Sequence, residues 1–183
     1  MTPIETYVDE LSAVGPQRFR LLHPHPVLVS VMDLSPEDHH EYHTRSGQRD
    51  LLFGTLGDGD LDRGTLEEEK PLSERRYVWE LAKRPGGPFA ERIGIGRTRA
   101  TDVQLAFTRV SKFHAYFVIA EGQPITLTDG GSTNGTFVND VQLSPKSPAI
   151  VGDGELIRFG PLTFELFTAD RFAQAIRELA ESR

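Results

Sequence analysis

Ser111 and His114 stand three residues apart in VSKFHA (110–115), and Asp129 follows at the end of a later apolar run. A serine, a histidine and an acid are the side chains of a hydrolytic triad, in which the imidazole takes the hydroxyl proton. The serine lies outside a G-x-S-x-G turn, however, and the apolar run after His114 predicts a strand there. The alternative is a site in which the serine hydroxyl only donates to an anion, and it involves more of the surrounding residues.

Donors for an anion recur in three polar connections of the chain. A guanidinium supplies a planar fork of N–H groups and hydroxyls supply single donors, a combination that suits the oxygens of a phosphate group. Residues 75–112 carry nine Lys or Arg side chains and three acids, whereas the whole chain has a formal charge of −7. Such a segment is typical of a small anionic ligand site, although the same charges can be solvated strand faces. The donors are Arg97 in the first connection, Arg109, Ser111 and Lys112 in the second, and Ser132, Thr133 and Asn134 in the third.

Two other motifs imitate sites of a different kind. Gly94 and Gly96 begin like a dinucleotide fingerprint, but Arg99 stands where the third glycine belongs. Acids between residues 58 and 69 follow part of an EF-hand loop, but Arg63 occupies the position that needs glycine. We therefore predict no nucleotide, no metal and no other cofactor.

Composition narrows the function classes further. The chain has 183 residues and no cysteine, which excludes disulfides, zinc–thiolate sites and cysteine nucleophiles. The negative net charge argues against a nucleic-acid binder, and no apolar run approaches the ~18 residues of a membrane span. Without a secretion signal at the N-terminus, we expect a cytoplasmic protein. Five histidines lack a carboxylate at a metal-ligand spacing and are interpreted as exposed-loop residues: His23, His25, His39, His40 and His43.

The first 74 residues predict a partly helical N-terminal extension. Thr2, Pro3 and Glu5 suggest a capping box, and the apolar residues that follow recur at helical spacing. This pattern predicts an amphipathic helix to about Ala13, where Gly15-Pro16 stops it.

A β-like run follows the first helix at 27–32. Ser35 then begins a second predicted short helix, and residues 45–73 predict a polar loop with at most one strand near 51–53.

From Tyr77 onward the chain predicts a different architecture. Short apolar or alternating runs are separated by turn signals about every ten residues, which is the pattern of an all-β sandwich or barrel. Residues 155–167 predict two strands joined as a hairpin at Gly160-Pro161. The tail from residue 169 predicts a helix with one apolar stripe. That stripe contains Phe172, Ile176 and Leu179.

The order of motifs resembles the forkhead-associated (FHA) domain, a phosphothreonine-peptide binding module. The resemblance covers residues 75–168 and rests on IGR at 95–97, SKFH at 111–114, STNGTFVN at 132–139 and VGDGELIRFG at 151–160. Each motif is weak alone, but four in this order are strongly specific. The resemblance implies a mainly β fold, an FHA-type β-sandwich of about eleven strands that binds its peptide across loops at one end. The extension 1–74 and the C-terminal helix 169–183 flank it.

The resemblance also implies roles for individual residues. Arg97 and Ser111 correspond to the family's main phosphate ligands, and Lys112 corresponds to a frequent additional contact. Thr133 matches a hydroxyl that completes the pocket and helps to accommodate the threonine methyl group. Asn134 matches the side chain that bonds the peptide backbone beside the phosphothreonine.

Four further residues correspond to positions that support the site. The resemblance implies that His114 braces the loop carrying Ser111, that Gly96 permits close packing, and that Gly135 and Asn139 stabilise loops. Asp140 stands where glycine is usual, so the turn after TFVN is expected to differ in shape without harm to the pocket.

Arg109 sits where some family members read the residue three past the phosphothreonine, which implies a preference for Asp or Glu there.

From the whole resemblance we expect a non-enzymatic signalling adaptor that binds a partner phosphorylated by an upstream Ser/Thr kinase. An FHA fold used as a phosphate-independent interaction or assembly module is the alternative. Thr6 and Thr65, each with an acid three residues on, are candidate phosphorylation sites for capture by the chain's own or a neighbour's pocket.

Overall fold

Twelve strands and three helices form the part of the chain that the structure describes. The computed structural model describes residues 1–31 and 76–182. The strands are β1 (Thr2–Pro3), β2 (Val27–Ser30), β3 (Tyr77–Glu80), β4 (Ile93–Gly96), β5 (Val103–Gln104), β6 (Ala115–Val118), β7 (Ile125–Asp129), β8 (Thr136–Val138), β9 (Val141–Gln142), β10 (Pro148–Val151), β11 (Leu156–Phe159) and β12 (Leu162–Phe167). The helices are α1 (Ile4–Val14), α2 (Pro16–Leu22) and α3 (Ala169–Glu181).

Several sequence predictions fall outside these residues. They concern the helix from Ser35, the strand near 51–53, the acidic run 58–69, the candidate phosphorylation site Thr65, and the histidines His39, His40 and His43.

The strands form two sheets. One has seven strands in the order β1-β3-β2-β12-β11-β8-β9, and the other has five in the order β10-β7-β6-β4-β5. The pairings are antiparallel except for the short parallel pair of β4 and β5. The mainly β class predicted from the sequence is confirmed, and so is the hairpin, because Phe159 pairs with Leu162 across Gly160-Pro161.

Alternation along the strands decides which side chains fill the space between the sheets. In β6, Ala115 and Phe117 are buried while Tyr116 and Val118 lie on the other side, as the period of two in a strand requires. Side chains from both sheets form the core, among them Ile95, Phe117, Leu127, Phe159 and Phe164. This core holds rigid the strand ends from which the loops of the site depart.

The three helices form a layer with an apolar cluster of their own, which we call the helical layer. Its buried residues come from all three helices and from strands of the seven-stranded sheet, and they include Tyr7, Phe19, Val29 and Phe172. Strand β2 lies between β3 and β12, so the segment before residue 31 contributes backbone hydrogen bonds to this sheet. The sheet therefore contains strands from both sides of the undescribed segment.

The start of α1 differs from the sequence prediction. The apolar stripe is buried as expected. The prediction of a capping box is wrong, because Pro3 is the N-cap residue and makes no side-chain hydrogen bond. Thr2 of β1 instead pairs with Val78 of β3, and this sheet contact takes the Thr2 backbone that a capping box would use. Gly15, with φ at 78°, ends α1, and Pro16 immediately begins α2 at the position where proline suits a helix.

Helix α3 forms as predicted. Thr168 is its N-cap and accepts a hydrogen bond from the Arg171 N–H, and Phe172, Ile176 and Leu179 are buried. Among residues 1–31 and 76–182, no helix has the length and apolar character needed to cross a bilayer.

Candidate functional site

Three connections meet at one end of the sandwich, and hydrogen bonds join them. The Arg97 N–H donates to the Ser111 carbonyl at 2.9 Å. The Thr133 N–H donates to Ser111 Oγ at 3.1 Å, and Asn134 Nδ2 donates to the Arg109 carbonyl at 2.7 Å. The structure thus brings together the three groups of donors that the sequence places far apart, with Ser111 in the middle.

His114 is fully buried directly behind Ser111. Its Nδ1 accepts the Ser111 backbone N–H at 3.1 Å, and its Nε2 lies 3.0 Å from the Gly135 carbonyl. Since a carbonyl can only accept, the imidazole carries its proton on Nε2 and is neutral. Burial is the main reason why the pKa of His114 lies below its ordinary value of 6.5.

These contacts rule out the triad interpretation of Ser111. Both ring nitrogens of His114 are occupied by backbone groups, so its imidazole does not act as a base for Ser111 Oγ. Asp129 bonds other partners and does not hold the imidazole. The histidine instead ties the Ser111 loop to the loop that contains Gly135.

Asp129 is an anchor that the sequence analysis named only as a candidate acid. The carboxylate is buried and accepts the N–H groups of Gly131 and Ser132 at 2.8 and 3.1 Å. It also accepts the hydroxyls of Ser132 and Thr136, both at 2.6 Å. Burial alone would raise the pKa of Asp129, but these four hydrogen bonds outweigh burial and lower it. The run DGGS after a strand, an Asx-turn pattern, was the available signal for this role.

Two glycines allow the loops to approach each other. A Cβ on Gly96 would lie 2.3 Å from the Lys112 carbonyl oxygen, so only glycine lets β4 pass beneath the Ser111 loop. Gly135 has φ at 77°, and a Cβ there would also meet Gln142 Nε2 at 2.7 Å. Both are therefore steric requirements of this loop arrangement.

The turn after β8 keeps a tight two-residue form despite Asp140. Asn139 and Asp140 have φ of 47° and 64°, and Val138 pairs directly with Val141. Two positive φ values are typical of a type I′ turn, in which glycine usually takes the second place. The Asn139 side chain secures the turn, because its Oδ1 accepts the Leu156 N–H at 3.0 Å.

The charged groups at this end are left available. The guanidinium groups of Arg97 and Arg109 and the Lys112 ammonium form no hydrogen bond or ion pair with any residue that the structure describes. Asp129 accepts its four hydrogen bonds from backbone N–H groups and hydroxyls, not from these cations. Ser111 Oγ and Thr133 Oγ1 lie 3.5 Å apart and are both accessible from solvent. Uncompensated cations beside two exposed hydroxyls can bind an anion with several oxygens.

Comparison with known proteins identifies the domain that holds this site. Residues 93–160 match the family model of the FHA domain, and this part of the chain is an FHA domain. The chain is 35% identical over 102 residues to the E3 ubiquitin-protein ligase rnf8 of Danio rerio, a match over 51% of this chain and 21% of that protein. It is 32% identical over 78 residues to the FHA domain-containing protein PS1 of Arabidopsis thaliana, over 42% of this chain and 5% of that protein.

A solved structure from work on phosphothreonine-dependent FHA domain interactions is also similar. It is 27% identical, with a TM-score of 0.42, and the alignment covers 50% of this chain and 84% of that one. The matches to the two curated relatives span about a fifth or less of the length of those proteins. The FHA domain is a binding module, not a catalytic one, and generally binds phosphothreonine peptides.

Proposed function

We propose that this FHA domain binds a phosphothreonine segment of a partner protein that an upstream Ser/Thr kinase has phosphorylated, and that the chain acts as a signalling adaptor. The observation that carries the proposal is the Arg97 guanidinium, which has no partner among the described residues, next to a frame in which Ser111, His114 and Gly135 are hydrogen-bonded in series. Because the frame is already rigid, little loop ordering is needed when an anion binds.

Each ligand role follows from the groups left free. Arg97 and Ser111 Oγ are assigned to the phosphate oxygens, with Lys112 as an additional cation. The Thr133 hydroxyl completes the pocket, and its side chain contacts the threonine methyl group. Asn134 uses Nδ2 to hold the Arg109 carbonyl, so its Oδ1 is the atom that accepts a peptide N–H.

Arg109 is assigned to specificity. Its backbone is fixed by the Asn134 bond, while its exposed side chain can extend along the bound peptide. We propose that it favours Asp or Glu three residues past the phosphothreonine.

The affinity should be moderate. Charge-assisted hydrogen bonds contribute roughly 1.5 to 3 kcal/mol each, and several kcal/mol are lost to association and peptide ordering. The balance is about −8 kcal/mol, which is micromolar and suits a reversible reader of kinase activity.

The test uses the best peptide from an oriented phosphothreonine library and the full chain. Arg97→Ala should weaken binding by about 100-fold, roughly 2.7 kcal/mol, because it removes a bidentate charged contact. The same peptide without phosphate is the matched control and should not bind. Unchanged calorimetric affinity in Arg97→Ala, with wild-type thermal stability, would refute the pocket assignment.

A phosphate-independent interaction module is the second candidate function. It is favoured by an exposed apolar pair at the end of α2, where Leu21 is 80% exposed and Leu22 is 48% exposed. Partner binding through this surface would survive phosphatase treatment and would be lost in a Leu21→Asp variant. Binding through the FHA pocket would be lost after phosphatase treatment and would be unchanged in the Leu21→Asp variant.

Self-capture is less favourable for Thr6 than the sequence suggests. Thr6 lies in the first turn of α1, where its backbone is helical, so this turn would have to unfold before Thr6 could bind as part of an extended peptide. We propose that residues 75–168 are the ligand-binding unit and that residues 1–74 and 169–183 flank it. Within these flanking segments, the helices of residues 1–31 and helix α3 form the helical layer.

A further inference from the structure

A loop outside the motifs of the family contacts the loop that carries Arg97. Arg84 lies in the connection between β3 and β4, and its Nη1 donates to the Thr101 carbonyl at 3.0 Å and to the Arg99 carbonyl. Both acceptors belong to the segment 97–102 that follows β4. A single guanidinium nitrogen thus holds two backbone carbonyls two and four residues beyond Arg97.

Asp102 and Lys83 join the same two segments from the other side. The Asp102 carboxylate accepts the Arg84 N–H at 3.0 Å, the Gly94 N–H at 2.7 Å and Lys83 Nζ at 2.9 Å. Lys83 Nζ also donates to the carbonyls of Pro88 and Arg92, each at 2.8 Å. Burial would raise the pKa of Asp102, but its hydrogen bonds with Gly94, Lys83 and Arg84 lower it. The loop 82–92 is therefore fastened to the end of the Arg97 segment.

Thr101 completes the restraint within the segment. Its Oγ1 lies 2.8 Å from the Thr98 carbonyl and 3.2 Å from the Gly96 carbonyl. Together with the Arg97 N–H bond to Ser111, these contacts hold the segment at both ends and in its middle. Arg97 consequently projects from a backbone whose position depends on residues in a different connection.

We propose that Arg84 is a positioning residue for the phosphate pocket: it clamps the carbonyls of Arg99 and Thr101 and so fixes where the Arg97 side chain begins. The inference rests on the proposed function, since it concerns how that pocket is preorganised. Arg84 does not touch the phosphate in this scheme. Loss of its clamp lets the segment 97–102 sample other positions, so that binding must restore the order and the affinity falls.

Arg99 provides a matched control in the same segment. Its side chain forms no hydrogen bond or ion pair with a described residue, and only its carbonyl is used by Arg84. Arg84→Ala and Arg99→Ala each remove one positive charge, but only Arg84→Ala removes the clamp. An effect due to general electrostatic attraction would be similar in both variants.

Calorimetric titration with the phosphothreonine peptide tests the proposal. Arg84→Ala should weaken binding about three- to tenfold, the range expected for one or two exposed hydrogen bonds. Arg99→Ala should change it less than twofold. Arg84→Lys should restore part of the affinity, because its ammonium can still donate to a carbonyl although the side chain is one bond shorter than the path to Arg84 Nη1. Equal losses in Arg84→Ala and Arg99→Ala, or no loss in Arg84→Ala, would overturn it.

A second measurement on the ligand-free chain separates this proposal from the proposed function. Amide hydrogen exchange of Thr101, whose N–H bonds the Thr98 carbonyl, should be faster in Arg84→Ala than in wild type and unchanged in Arg99→Ala. If no phosphothreonine peptide binds the wild-type chain, the proposed function fails while exchange still decides whether the clamp exists. Unchanged exchange in Arg84→Ala would overturn the clamp whatever the peptide does.

Discussion

The helical layer and the loop end of the sandwich are held together in opposite ways. The layer is closed mainly by apolar contacts, with Phe172 packed edge-on against Tyr7 at 5.2 Å between ring centroids and tilted against Phe19. The loop end is held by polar contacts, and its buried anchors His114 and Asp129 bond mainly backbone and hydroxyl groups. The helical layer buries its apolar side chains against each other, whereas the loop end presents cations that have no partner among the described residues.

This difference assigns separate tasks to the two regions. Apolar burial has no directional requirement and contributes stability in proportion to area. Polar anchors contribute little net stability but fix geometry, because each donor and acceptor must meet at a set angle and distance. Substitutions in the helical layer should therefore change the unfolding free energy but not the affinity for the phosphothreonine peptide. Substitutions in the loop end should first change the positions of the loops.

The largest expected effect comes from Phe172→Ala in the helical layer. Phe172 is 1% exposed, and removing a buried phenyl ring typically costs about 3 to 5 kcal/mol of unfolding free energy. Denaturant unfolding of the full chain measures this loss. Affinity for the phosphothreonine peptide, measured well below the melting transition, should stay within about twofold of wild type.

Phe89→Ala is the matched control for this prediction. Phe89 is 62% exposed, and truncating it should change the unfolding free energy by less than about 0.5 kcal/mol. A large loss of peptide affinity in Phe172→Ala would break the comparison, because it would show that the layer shapes the pocket.

A smaller effect is expected from pH at the loop end. The pKa of His114 is lower in the folded chain than its ordinary 6.5, so the unfolded chain takes up the proton first as pH falls. The contribution of neutral His114 to stability is therefore complete above about pH 6.5 and is lost as pH falls toward the folded-state pKa. Protonation of Nδ1 would also displace the Ser111 N–H.

The measurement is the unfolding free energy of wild type and His114→Gln between pH 7.5 and 5. Glutamine can accept and donate but cannot titrate, so the variant should lose less stability over this range than wild type does. Other groups titrate in both proteins and cancel in the difference. If the unfolding free energy of the two proteins changed equally with pH, His114 would not be the neutral, backbone-bonded group described above.

The smallest expected effect concerns Asp140 in the β8–β9 turn. Asp140 has φ at 64°, and glycine accepts this conformation without steric cost. Asp140→Gly should raise the unfolding free energy by about 0.5 kcal/mol and leave peptide affinity unchanged. The lost contact with Arg158 is long, at 3.8 Å, and Asp140 is exposed, so it contributes little. A lower thermal midpoint for Asp140→Gly would show that this contact outweighs the backbone strain.

Much of the fold could be predicted because its longer elements carry their pattern locally. The alternation in β6 and β12 and the apolar stripe of α3 are visible within a few residues and match the structure. The two-residue strands β1, β5 and β9, the strand β10 and the short helix α2 were not predicted. Such short elements depend on partners rather than on their own sequence, as with Val103, which pairs with Ile95.

The sequence alone determined which chemical groups gather at the site, since the order of IGR, SKFH and STNGTFVN names its donors. Only the tertiary structure decided how they are used. It turned His114 toward backbone groups, made Asp129 an anchor, and placed Arg84 on carbonyls 15 and 17 residues away. The physical reason is range: periodicity records contacts between near neighbours, whereas a hydrogen bond across two loops depends on where the whole sandwich places them.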